Sequence, residues 1–276
     1  MVDERIVSGH YKHDQLLDLI KNGLREIGKS IDSVTIEDLA PVDEFHIGGR
    51  TATEHLVQQL GFGAFDILLD IGCGLGGASR FIAKNYGNSV TGIDLTDDFV
   101  SVGNTLTNWV GLDQSVSLRQ GSALSMPFDD AMFDGAYMLH VGMNIESKDI
   151  LFSEISRVLK PGSRFGIYDV MRMSEGALTY PVPWASEENS SFLAAPEVYS
   201  ALLESAGFRV ECVNNRKEFA LKFFDTLKQK SSANDGPPPL GLHLLMKSTA
   251  PLKFKNMIEG ITRGYISPVE IVATKI

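Results

Sequence analysis

The stretch Leu68–Phe81, LLDIGCGLGGASRF, limits what this chain can fold into more than any other. An apolar run closed by Asp70 breaks into Gly72, Gly74 and Gly77, and a helix-like pattern starts at once. This reads as a strand, a tight turn and a helix, with the G-x-G-x-x-G spacing of dinucleotide sites. A phosphate at such a turn is held by backbone N–H groups and the positive end of the helix. Asp70 would repel it, and no Arg near the turn is expected to compensate. An ammonium group would instead be attracted, while the glycines still let a ligand lie against bare backbone. Asp94, closing SVTGID some two dozen residues later, is placed to accept both hydroxyls of a ribose. That acid is shared with nicotinamide sites and does not discriminate by itself.

From residue 65 onward, short apolar strands alternate with helical segments. FDILLDI, SVTGID, SVSLRQ, FDGAYMLH and RFGIYDV read as buried strands. Helices are expected at Ala78–Tyr86, Asp97–Val110 and Ser147–Leu159, the last stopped by Lys160-Pro161-Gly162. Pro196–Ala206 reads as a further helix, Phe208–Val213 as a strand and Pro268–Lys275 as a last β-rich run. Such alternation implies a parallel sheet with helices on both faces. Ahead of it lie a helical stripe from Leu16 to Ile27, an irregular polar stretch, and a short helix from Thr51 to Leu60. Residues 171–195 and 221–266 break the alternation and read as a cap over the substrate, within a single domain of residues 1–276.

The formal net charge of −10, with no basic cluster, argues against nucleic acid as a partner. Cys73 and Cys212 offer neither a disulfide framework nor metal-ligand spacing, so no metal is expected and a reducing cytoplasm is the default. No apolar run approaches a membrane span, and MVDERIVSGH is too polar for a signal peptide. A small molecule is the expected partner; the oligomeric state stays open, a homodimer included.

LLDIGCGLGG, VTGIDLT, GSALSMPFDDAMFDGAY and RVLKPGSRFGIYD, in this order and spacing, resemble the class I S-adenosylmethionine-dependent methyltransferases. The resemblance covers roughly residues 45–215 and is nearest to the small-molecule branch with the quinone-biosynthesis, sarcosine/dimethylglycine and tocopherol-type enzymes. It implies a Rossmann-like α/β fold with a seven-stranded, mostly parallel sheet, the last strand antiparallel, and S-adenosylmethionine across the ends of strands one to four. By position, Asp70, Gly72, Cys73 and Gly74 would meet the methionine part of the cofactor, and Asp94 and Leu95 the ribose. Ser122 and Ala123 would flank the adenine, and Leu139 and His140 would lie beside the reactive methyl. His46 and Gly48, in EFHIGGR, resemble a loop closing over the methionine end. Many members carry an Asp where this chain has Ser122, so that contact is expected to be weaker here.

His140 is the candidate base, since an imidazole titrating near neutrality can take a proton from an amine or hydroxyl nucleophile; packing beside the cofactor is the alternative. Met138, Met143, Tyr180 and Trp184 are candidate substrate-pocket residues. The expected activity is methyl transfer to a small acceptor, with an amine preferred and a quinone-like or phenolic ring as the alternative. A nicotinamide-linked oxidoreductase and a cofactor-binding protein without turnover are the rivals. The reading predicts binding of S-adenosylmethionine or its demethylated product and none of NAD(H), which calorimetry with each ligand checks.

Overall fold

The computed structural model describes residues 4–11, 15–232 and 237–276. Four helices come first: α1 (Glu4–Tyr11), α2 (Leu16–Glu26), α3 (Ile36–Asp43) and α4 (Arg50–Leu60). The alternating part follows as β1 (Ile67–Ile71), α5 (Gly77–Tyr86), β2 (Ser89–Asp94), α6 (Asp97–Trp109), β3 (Val116–Gln120), β4 (Phe133–Leu139), α7 (Lys148–Val158) and β5 (Leu159–Arg172). The chain continues through α8 (Pro196–Ser205), β6 (Phe208–Asn215), α9 (Lys217–Ser232), α10 (His243–Met246) and α11 (Ala250–Thr262) to β7 (Ile266–Lys275).

The seven strands form one sheet in the order β3-β2-β1-β4-β5-β7-β6, with β7 antiparallel to both of its neighbours. Both faces of the sheet are covered. On one, Phe152, Ile155, Phe165 and Phe208 pack with α7 and α8; on the other, Leu56, Leu60, Ile82 and Tyr137 pack with α4 and α5. This is why the strands read as near-continuous apolar runs. The strand order reverses beside β1, and ligands of open α/β sheets bind outside the carboxyl ends at such a point.

Three local readings need correction. The stretch after Ile27 is not wholly irregular, because α3 forms there with a reciprocal cap. The Asp38 N–H donates to Thr35 Oγ1 at 3.3 Å, and the Thr35 N–H donates to Asp38 Oδ2 at 2.9 Å. Lys160-Pro161-Gly162 does follow the end of a helix, but it lies within β5 as an irregularity. The pairing jumps there from Phe133↔Leu159 to Gly135↔Arg164. β5 also runs on to Arg172, so the segment expected to start an insertion at Met171 begins as strand.

The N-terminal helices are fastened to the sheet by close backbone contact and one buried ion pair. A Cβ on Gly77 would lie 2.4 Å from the Asp43 carbonyl oxygen, so the start of α5 can approach the end of α3 only as glycine. Arg80, fully buried on α5, donates to Asp43 Oδ2 at 2.7 Å, the Gly103 carbonyl at 3.1 Å and Thr107 Oγ1 at 2.9 Å. Removing one partner of such a pair strands the other charge in the interior. Asp43→Ala should therefore lower unfolding free energy by about 3–5 kcal/mol, seen as a shifted urea midpoint.

Candidate active site

At the carboxyl edge of the sheet a cavity of about 810 Å³ opens. This is near the upper end of the roughly 300–1,000 Å³ usual for ligand sites. The first turn of its floor is the glycine stretch. The N–H groups of Gly72 and Cys73 both donate to the Ile93 carbonyl, at 2.8 and 3.1 Å, which locks the turn after β1 onto the end of β2. Gly72 has φ +70°, and a Cβ there would collide with Val141 at 2.3 Å. A side chain at this position would be strained by backbone and neighbour alike.

Asp70 lies at the end of β1, only 2% exposed, and takes a 2.6 Å hydrogen bond from Ser79 Oγ. Burial pushes its carboxyl up to about 7, and the carboxylates of Glu44 and Asp94 push in the same direction. Arg80 is close in sequence but does not compensate it, because its guanidinium is committed to Asp43 and α6. Asp94 accepts the N–H groups of Gly74 and Thr96, one on each oxygen and both at 2.8 Å, and burial raises its pKa too. Glu44, by contrast, is paired: Arg50 Nε lies 2.5 Å from Oε1, and Thr53 Oγ1 donates to Oε2 at 2.7 Å. This end of the cavity thus holds two desolvated acids that a cation would relieve.

His140 follows β4 in a left-handed conformation, φ +57°, and its N–H donates to the Tyr168 carbonyl at 2.7 Å. That backbone costs roughly 1–2 kcal/mol for a residue with a Cβ, and it sets the imidazole in the cavity wall. Nε2 is buried with no hydrogen-bond partner. Burial, and then the neighbouring His46, hold the ring's pKa well below its ordinary value, so it is neutral. The His46 ring lies 6.0 Å from it, also lowered by burial, with Nε2 within hydrogen-bond distance of the Gly49 carbonyl and Thr53 Oγ1.

Most of the residues singled out from sequence line this one cavity: Asp70, Gly72, Cys73, Gly74, Asp94, Leu95, Ser122, Ala123, Leu139, His140 and His46, with Met143 and Trp184. Burial raises the Cys73 thiol well above its usual value, so it is an inert small side chain there. Three fall outside the wall. Met138 is fully buried in the core between sheet and α7, because side chains alternate along β4. Gly48 packs away from the cavity, its Cβ position blocked by the Phe219 ring at 2.4 Å. Tyr180 packs in the cluster around Trp184 and Phe254 without reaching the wall.

Other wall residues carried no sequence signal. Glu4, Val7 and Tyr11 reach the cavity from α1, and Ser122 Oγ donates to Glu4 Oε1. Tyr11 donates to Asn144 Oδ1 at 3.2 Å. A polar eight-residue helix announces no partner more than a hundred positions away. Phe223, Phe224 and Leu227 of α9 and Phe254 and Met257 of α11 do show helical spacing, which by itself signals only a buried face.

With this geometry in view, comparison with known proteins is decisive for the central segment. Residues 69–167 match the family model described as a methyltransferase domain. This segment is a methyltransferase domain. A sterol 24-C-methyltransferase of Eremothecium gossypii is 36% identical over 115 residues, 42% of this chain and 31% of that protein. The chain therefore spans under a third of that relative's length. The crystal structure of geranyl diphosphate C-methyltransferase from Streptomyces coelicolor A3(2), with Mg2+, geranyl-S-thiolodiphosphate and S-adenosyl-L-homocysteine, matches at a TM-score of 0.66 and 23% identity. That match covers 82% of this chain and 76% of that one. The [4+2]-cyclase SpnF matches at 0.66 and 20%, over 95% and 94% of the two chains. Likeness at this identity shows the fold alone, a Rossmann-like α/β unit with β7 antiparallel.

The raised carboxyl of Asp70 fixes the sign of a pH effect. Between its ordinary value of 3.8 and about 7, the folded protein binds more protons than the unfolded chain, so ionising Asp70 costs stability as pH rises through that window. A cationic ligand favours the ionised form and releases the proton. Affinity for S-adenosylhomocysteine, which keeps the ammonium, should therefore rise from pH 5.5 and level off above about 7. Asp70→Asn should flatten that profile and weaken binding at pH 8 by about 1–3 kcal/mol, measured by calorimetry.

Proposed function

We propose that this protein transfers the methyl group of S-adenosylmethionine to a small-molecule acceptor, within one domain whose segments 171–195 and 221–266 cap the reacting end. The observation that carries the reading is the pair of acids at the glycine turn of a methyltransferase domain, Asp70 buried and Asp94 half-buried, both raised by desolvation. They suit a ligand with an ammonium at one end and a diol in the middle, and disfavour the pyrophosphate of a nicotinamide cofactor. Asp70 and the turn of Gly72–Gly74 would hold the methionine part, Asp94 the ribose, and Ser122, Ala123 and Glu4 would border the base. When bound, the cofactor supplies an activated methyl on a sulfonium.

The chain's own work is alignment and exclusion of water. Trp184 and Phe192 from the first segment, and the α9 and α11 residues from the second, complete a wall that the sheet edge leaves open. His140 follows the strand that ends beside the floor. Its neutral imidazole takes the proton of a hydroxyl or amine as the nucleophile meets the methyl. The same fold in a [4+2]-cyclase makes turnover the point to test. His140→Ala should lower the rate of methyl transfer from labelled cofactor by about 100-fold or more while leaving calorimetric cofactor affinity nearly intact. Equal losses in both would assign His140 to packing.

A further inference from the structure

Part of the cavity wall is aromatic and apolar, and that part describes the acceptor. The wall that contains His140 also contains Trp184, Phe192, Phe223, Phe224, Phe254 and Met257, which come from the loop after β5, from α9 and from α11. Several polar atoms of the wall are already engaged. Trp184 Nε1 donates to Ser191 Oγ at 2.9 Å, and Asn144 Oδ1 accepts from Tyr11. His46 Nε2 is taken by Gly49 and Thr53. His140 Nε2, by contrast, is buried and unpartnered.

Charge sharpens the picture. Among the described residues, the wall contains no Lys and no Arg, whereas it contains Glu4, Asp43, Glu44, Asp70, Asp94 and Glu146. Arg50 and Arg80 stand behind it, held by Glu44 and Asp43, and Lys148 Nζ stands behind it too, held by the carbonyls of Ile145 and Phe192. An anionic group on the acceptor would enter an apolar chamber bordered by carboxylates, lose its hydration and find no cation. A neutral apolar body would gain by burial against the aromatic side chains.

We infer, resting on the methyl-transfer reading, that the acceptor is an uncharged, largely apolar ring or chain bearing a neutral hydroxyl or amine directed at His140. Phosphorylated and carboxylated molecules are rejected by the chamber. Small zwitterionic amines lack the apolar body that it is built to cover. The acceptor analogue in the S. coelicolor structure carries a diphosphate and is accompanied by Mg2+, whereas no group of three or more His, Cys, Asp or Glu among the described residues here could hold a metal ion to bring a phosphate in.

The test is a matched series measured by calorimetry at pH 8, first with S-adenosylhomocysteine alone and then with the acceptor analogues, in its presence and absence. The analogues are 1-naphthol, 1-naphthylamine, 1-naphthoate and 1-naphthyl phosphate, with sarcosine as a polar amine. The neutral pair should bind at least about tenfold more tightly than either anion or sarcosine. Phe254→Lys should shift that ratio toward the anions by about tenfold or more, since it places a cation in the chamber. Equal or tighter binding of the phosphate by the unaltered protein would overturn the inference, as would failure of both neutral analogues to bind. Failure of S-adenosylhomocysteine to bind, with the naphthyl order intact, would instead overturn the methyl-transfer reading and leave the chamber's preference standing.

Discussion

One fully buried guanidinium ties the parts of this molecule together. Arg80 stands on the first helix after the glycine turn and reaches Asp43 at the end of α3 and two groups of α6. Gly77 brings the same two helix ends into backbone contact. Together they fix where the loop after Asp43 must run, and Glu44, Phe45, His46 and Ile47 then become part of the cavity wall. Without that anchorage the N-terminal helices would have no fixed relation to the sheet edge. A buried ion pair is weak evidence for net stability, yet it is strong at rejecting alternatives that leave one charge alone.

The electrostatics of the cavity follow from what that framework desolvates. Acids are concentrated at the floor, where Asp70 and Asp94 lie under the turn, and burial raises both. The imidazoles of His46 and His140 are kept neutral by the same burial. One environment therefore disfavours negative charge on Asp70 and positive charge on His140. A cationic ligand relieves the first, and the second leaves a neutral imidazole in the cavity wall, where a charged one would be disfavoured.

The aromatic and apolar part of the cavity wall depends on elements from both ends of the chain. A Cβ on Gly23 of α2 would lie 2.4 Å from the Pro239 carbonyl oxygen, so the N-terminal helices and the segment leading to α10 meet in close contact. Leu16, Ile20 and Leu24 pack with Leu240 and Leu245 in one cluster, and α9 and α11 pack with Trp184 in another. The wall is thus assembled from α1, the loop after β5 and the helices ahead of β7. No helix among the described residues is long and apolar enough to cross a membrane, and the apolar faces of these helices turn inward on these clusters.

The alternating apolar runs and their turns were legible in the sequence because local pattern determines them. β1 to β4 and their helices begin and end within a few residues of where periodicity and stop signals put them. The glycine turn, Asp70 and Asp94 were legible too, since a strand-turn-helix with an acid at each of two strand ends is a local arrangement. The short capped helix α3 was missed although its Thr35–Asp38 signal is local, and the eight residues of α1 are too few to show a stripe. Met138, still within β4, points into the core, whereas His140, two residues on and past the strand's end, is turned into the cavity wall by its left-handed backbone. The Arg80–Asp43 pair, Glu4 on Ser122, the packing of Gly48 on Phe219 and the aromatic chamber join residues tens to more than a hundred positions apart. Sequence by itself determined the fold class and the glycine turn with its two acids, because backbone pattern and turn chemistry act over a few residues. Only the tertiary structure decided the chamber, because desolvation and charge pairing depend on what the rest of the chain brings alongside.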